Sequence, residues 1–241
     1  MKPSILPLAC AVSVWLFSTS ACAYVIDTSG QWNGSDAITY LGNPTYATAT
    51  YGQTSTVDEA ATLESWSFWL SNRSTSPQPV VRVDGYLAEW AGDRTVGPML
   101  YQSISRIVPQ SPRGEFHELV FSIPSLALEP GKTYMMFLNT SNYATLQQPF
   151  ELAALGATGD VYAGGSFWYQ NSYNLFSNVS NFPWTCADEG NGCRYGDAAF
   201  RATLNVVPLP STFALLSIGL LSLLGARRLS RVEYDDQDDY Y

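Results

Sequence analysis

Between residues 62 and 70 (Thr-Leu-Glu-Ser-Trp-Ser-Phe-Trp-Leu) the side chains alternate as in a strand, with Leu63, Ser65, Ser67 and Trp69 on one face and Trp66, Phe68 and Leu70 on the other. A second strand is expected over 80–90, closed by a turn at Ala91, Gly92 and Asp93. Residues 98–103 begin at a proline, as an edge strand or a strand start does. Strands over 116–123 and 133–138 flank a turn at 128–132 that contains Pro130 and Gly131. Gly164 and Gly165 introduce a strand over 166–169, and 197–204 supplies a last one, while 71–79 reads as a loop or hairpin tip. Many short strands with frequent turns, and no helical period between them, predict an all-β fold, a single jelly-roll-like β-sandwich over residues 24–206.

Both ends of the chain break this pattern. Residues 213–226 (FALLSIGLLSLLGA) are uncharged and apolar on every side of a helix, and they stop at Arg227 and Arg228. Pro208 and Pro210 precede the run, a rigid entry suited to a first helical turn. At about 1.5 Å per residue the run spans roughly 21 Å, short of a ~30 Å hydrocarbon core. Ser211, Thr212 and snorkelling arginines extend it, so a transmembrane helix is expected at about 211–226 with its arginines cytoplasmic. A buried helix of a soluble domain is the other reading of so short a run. At the front, Lys2, an apolar run over 8–17 and Ala21-Cys22-Ala23 form a secretory signal, residues 1–23, with cleavage before Tyr24. An uncleaved anchor, or a lipoprotein cysteine at Cys22, would be the alternatives there.

Charge and cysteine content narrow the picture. The chain carries a net charge of −9, and residues 24–206 hold eight basic against sixteen acidic residues. With no basic stripe, nucleic acid is not an expected partner. Cys10 and Cys22 fall in the signal, which leaves Cys186 and Cys193 flanking a Gly-rich turn. In an oxidising compartment such a pair reads as a disulfide closing a small loop. Two cysteines with no neighbouring histidine do not complete a zinc shell, so no metal and no cofactor are expected.

Candidate chemistry is sparse. His117 is the one histidine, and no Gly-x-Ser-x-Gly elbow accompanies it, so no catalytic residue is assigned. Glu89, Asp93, Glu115, Glu118, Asp160 and Asp197 offer carboxylate pairs for a glycosidase, but no spacing singles out two of them. Aromatics are more promising: Phe167, Trp168, Tyr169, Tyr173, Trp90 and Trp184 lie in or beside turns and strand ends. An aromatic face beside amides suits the C–H face of a sugar ring. Trp168, Tyr169 and Tyr173, near Asn171 and Asn174, are therefore the candidates for glycan contact, with core filling as the competing role. Trp66, Phe68 and Phe200 are expected in the core.

The tail resembles the PEP-CTERM sorting signal of exopolysaccharide-producing Gram-negative bacteria. Val207, Pro208, Leu209 and Pro210, the helix, and Arg227 and Arg228 carry the likeness over residues 207–231, with Leu209 where a glutamate is usual and an acidic tail, 232–241, beyond. The segments 63–70, 86–92, 97–101, 128–134, 162–165 and 197–201 are similar to a β-sandwich found in many such proteins. The resemblance implies an exosortase-like processing enzyme as a partner. It also implies a tether at the inner membrane, followed by residence at the cell surface or in the extracellular matrix. A non-enzymatic role associated with exopolysaccharide follows, with a carbohydrate-active enzyme or a purely structural matrix protein as alternatives.

Overall fold

The computed structural model describes residues 23–42, 48–73, 80–110, 112, 115–143, 152–171, 175–187 and 194–207. The signal segment before Ala23, Tyr173, Cys193 and the tail from Pro208 onward lie outside the described residues. Among the described residues no helix is long and apolar enough to cross a membrane.

The strands are β1 (Ala23–Asp27), β2 (Ala37–Gly42), β3 (Thr50–Thr56), β4 (Ala61–Asn72), β5 (Arg82–Ala91), β6 (Arg94–Gln102) and β7 (Arg106–Ile107). They continue with β8 (His117–Leu128), β9 (Thr133–Asn139), β10 (Leu152–Thr158), β11 (Phe167–Gln170), β12 (Thr185–Cys186), β13 (Asp197–Ala198) and β14 (Phe200–Val206). One α-helical turn, α1 (Asn178–Asn181), and two 3-10 turns, Ser29–Gln31 and Ser141–Tyr143, accompany them among the described residues. The chain is all-β, in two antiparallel sheets of seven strands each. One sheet runs β1-β14-β4-β10-β13, with β8 on β4 and β2 on β10; the other runs β12-β11-β3-β9-β5-β6, with β7 on β5.

A single apolar cluster joins the sheets. Leu63, Trp66, Phe68 and Leu70 of β4 meet Val83 and Leu87 of β5 and Met136 and Leu138 of β9 there. Trp66, Phe68 and Phe200 are buried as expected. Leu63 departs from the simple alternation, because the two steps from Leu63 to Ser65 in β4 face the single step from Leu204 to Thr203 in β14. One extra residue in the strand returns Leu63 to the face of Trp66, Phe68 and Leu70, as a β-bulge does. Pro98 lies within β6 rather than at its start. It follows Gly97, at φ +69°, where the pairing with β5 is irregular. A proline is tolerated there because β6 is an edge strand. At the β5–β6 turn Ala91 pairs with Arg94 across Gly92 and Asp93, and Gly92 has φ +69°. Glycine at the first of two turn positions is the type II′ hairpin arrangement.

β3 (TYGQTST) has almost no apolar alternation, yet nearly all of it is buried. It is held between β9 and β11, and its polar side chains are bonded rather than solvated. The Gln53 Nε2 donates to Asp197 Oδ1 at 2.8 Å, and Gln53 Oε1 accepts from the Ala198 amide at 2.9 Å, so this side chain ties β3 to β13. Beside it the chain passes so close that a Cβ on Gly165 would lie 1.8 Å from the Thr54 carbonyl oxygen. Only glycine fits there.

Candidate functional site

The second sheet is covered on both faces. On its outer side Tyr86 and Ala88 of β5, Met135 and Phe137 of β9, and Val179 and Trp184 form a second apolar cluster, with Trp90, Met99, Trp168 and Phe176 packed against it. Gly52 of β3 makes room for it: a Cβ there would come within 2.6 Å of Met135 Sδ and Phe137 Cβ. Residues 175–184, which include α1, lie over this face as a strap before the chain joins the sheet edge as β12. Gln170 Nε2 donates to the Asn178 carbonyl at 2.8 Å, the Trp184 amide donates to the Asp93 carbonyl at 2.7 Å, and the Trp184 indole donates to the Val179 carbonyl at 2.9 Å.

Trp168 sits at the margin of this layer. β11 lies between β3 and β12, and Trp168 pairs with Gly52 on one side and Cys186 on the other. Its ring is half-buried, 5.3 Å from Trp90, and Trp90 in turn meets Trp184 edge-on at 5.7 Å. Its indole N–H is buried and has no hydrogen-bond partner among the described residues. Because side chains alternate along a strand, the next residue turns the other way. Tyr169 packs against the core between the sheets, 6.3 Å from Tyr51. Tyr173 lies outside the described residues. The structure therefore separates Trp168 from Tyr169 and brings Trp90 and Trp184 to Trp168 instead. Pairing of Trp90 with Trp168 depends on strand register and on the strap, neither of which sequence spacing displays.

Most of the candidate carboxylates have fixed partners. Glu89 accepts from Lys132 at 2.8 Å, and Asp93 is paired with Arg94 at 2.8 Å. Glu118 accepts from Arg201 at 2.9 Å and from Ser67 at 2.7 Å. Asp197 is fully buried. Its Oδ2 accepts the Val161 and Tyr162 amides, both at 2.8 Å, while Oδ1 accepts from Gln53. Burial pushes its carboxyl above the ordinary aspartate value, and the three donors oppose this without cancelling it. His117 lies in β8, and its Nε2 is buried with no partner among the described residues. Among the described residues no group of histidine, cysteine and acidic side chains is arranged to hold a metal ion. Cys186 pairs with Trp168 in the ladder, whereas Cys193 lies outside the described residues.

No family model matches the chain, and no curated protein matches it. Among solved structures it is similar to the cysteine protease and lectin-like domains of Cwp84, a surface layer associated protein of Clostridium difficile. The likeness has 10% sequence identity and a TM-score of 0.42, and covers 71% of this chain but 36% of that one. At that TM-score it carries no argument about function.

Proposed function

We propose that this chain is an exported surface or extracellular-matrix protein of the PEP-CTERM kind, tethered by its C-terminal helix and associated with exopolysaccharide without turning it over. Its domain, residues 24–206, is then a jelly-roll-like β-sandwich. The signal 1–23 and the sorting segment Val207, Pro208, Leu209, Pro210, Arg227 and Arg228 serve export and exosortase-like processing. The observation that carries glycan contact is Trp168. Its half-buried ring stands next to Trp90 at the margin of the outer layer, so it offers a stacking face to a sugar ring. The pairing of Tyr24 with Leu204 is compatible with a tether, since the chain enters and leaves the domain at the same end, on neighbouring strands. We also propose Cys193 as the partner of Cys186, closing a loop next to β11.

The tether is tested by fractionation. The full chain is expected with membranes until processed, and a chain ending at Val206 in the soluble fraction. Identical distribution of the two would contradict it.

A further inference from the structure

An open groove lies where the two sheets part beside β1, with a volume of about 670 Å³. That falls within the roughly 300–1,000 Å³ typical of ligand pockets. Its floor is apolar, with Ile26, Val57 and Leu204 buried beneath it. Tyr24, 51% exposed, and Tyr162 provide the aromatic walls, and exposed Asp58 and Glu59 stand at the turn between β3 and β4. The Tyr162 hydroxyl is engaged with Ser55 Oγ at 2.8 Å, and the ring lies 5.7 Å from Phe200, so that wall is fixed. The Asp197 carboxylate anchors the same segment through the Val161 and Tyr162 amides.

The polar inventory of the groove is one-sided. Among the described residues that line it there is no lysine, arginine or histidine. Asp27, Glu89, Asp93 and Glu118 hold cations, whereas Asp58 and Glu59 make no ion pair among the described residues. Ionised carboxylates only accept hydrogen bonds, so a ligand here must bring donors. A positive charge would also gain from the carboxylates and from the tyrosine faces. Polyanionic sugars such as uronates would be repelled, both here and by the chain's net charge of −9.

We propose that this groove binds an amine-bearing saccharide, a sugar chain with free ammonium groups and an apolar ring face. The inference rests on the exopolysaccharide reading above and narrows it to cationic rather than acidic polymer. The ammonium groups lie toward Asp58 and Glu59, and a ring face lies against Tyr24 and Tyr162 over the apolar floor.

The test is titration calorimetry of the full mature chain in detergent with a glucosamine oligomer, its N-acetylated counterpart and a uronate oligomer. Low salt and mildly acidic pH keep the amines protonated. The glucosamine oligomer is expected to bind, with the other two at least about tenfold weaker. The double variant Asp58→Asn, Glu59→Gln should weaken glucosamine binding about tenfold. Equal binding of the acetylated oligomer, or full binding by the double variant at an unchanged urea midpoint, would overturn the proposal. If glucosamine fails while the producing cell's own polysaccharide is still retained through Trp168, the groove assignment alone falls. If neither sugar is retained, the wider reading falls with it.

Discussion

Replacing Trp66 by alanine is expected to cost the domain about 3–5 kcal/mol, the range for deleting a buried tryptophan from a core. Trp66 is 1% exposed. Its ring stacks on Phe121, with centroids 4.2 Å apart and planes 20° apart, and meets Phe68 edge-on at 5.4 Å. It projects from β4 in one sheet to β5 in the other: a Cβ on Gly85 would lie 2.9 Å from its ring and 2.6 Å from that of Phe121. Alanine at 66 would thus open a cavity between the sheets where close packing excludes any collapse onto a nearby side chain. Trp66→Phe should cost much less, because it keeps most of the ring contact and removes an indole N–H that has no partner among the described residues. Gly85→Ala should destabilise by the opposite route, overpacking, at about 1–3 kcal/mol. Urea unfolding checks the series: the midpoint should fall in the order wild type, Trp66→Phe, Trp66→Ala at an unchanged slope. A Trp66→Ala midpoint equal to wild type would contradict the described packing.

Asp197→Ala should have a comparable effect, about 3–5 kcal/mol, through unsatisfied polar groups rather than a cavity. The substitution removes the acceptor of the part-buried Val161 and Tyr162 amides and leaves the buried Gln53 Nε2 with the Thr54 carbonyl alone, at 3.2 Å. Asparagine is expected to rescue only in part. It restores one acceptor but turns an N–H₂ toward a backbone N–H or toward Gln53 Nε2. The pH dependence has a definite sign. Burial raises the Asp197 carboxyl above its unfolded value, so the folded protein holds the proton more tightly. Its contribution is then complete below the unfolded aspartate value of about 3.9 and declines as pH rises through the raised folded value. The stability gap between wild type and Asp197→Ala should therefore widen on acidification from neutral pH toward about pH 4. Urea titrations at a series of pH values read this directly, and a gap that narrows would contradict it.

The fold class was legible where burial follows a period of two. The stretch 62–70 is the middle of β4, and Gly92 marks a hairpin because only a turn with positive φ at its first position suits the flanking twist. The pattern was blind to the bulge after Leu63, since one inserted residue changes the facing without changing composition. β3 escaped for the opposite reason. Thr, Gly, Gln and Ser carry no apolar signal, and their burial is made possible by partners more than a hundred residues away, such as Ser166 for Thr54 and Asp197 for Gln53. β9 did carry an unread signal. Tyr134, Met135, Met136, Phe137 and Leu138 are apolar without a break, which calls for cover on both faces, and the strap over 175–184 provides the outer one.

The candidate site was only half legible. Trp168 was identifiable as an aromatic near turns, but its companion depends on register. Trp90 reaches it across β9 and β3, so no local spacing links the two. Tyr169, adjacent in sequence, belongs to the core by simple alternation. The groove beside β1 was not legible at all. It is assembled from four separate parts of the chain around Tyr24, Asp58, Tyr162 and Leu204, and Asp58 and Glu59 look in sequence like any solvated turn.

The most direct test of the account is retention of the domain, residues 24–206, on the polysaccharide of the producing cell, followed by analysis of the sugar for cleavage. The account predicts saturable binding with the polymer left intact, weakened at least about tenfold by Trp168→Ala while the urea midpoint holds. Shortened sugar chains would contradict it in favour of an enzyme, and no binding at all would leave a structural matrix protein.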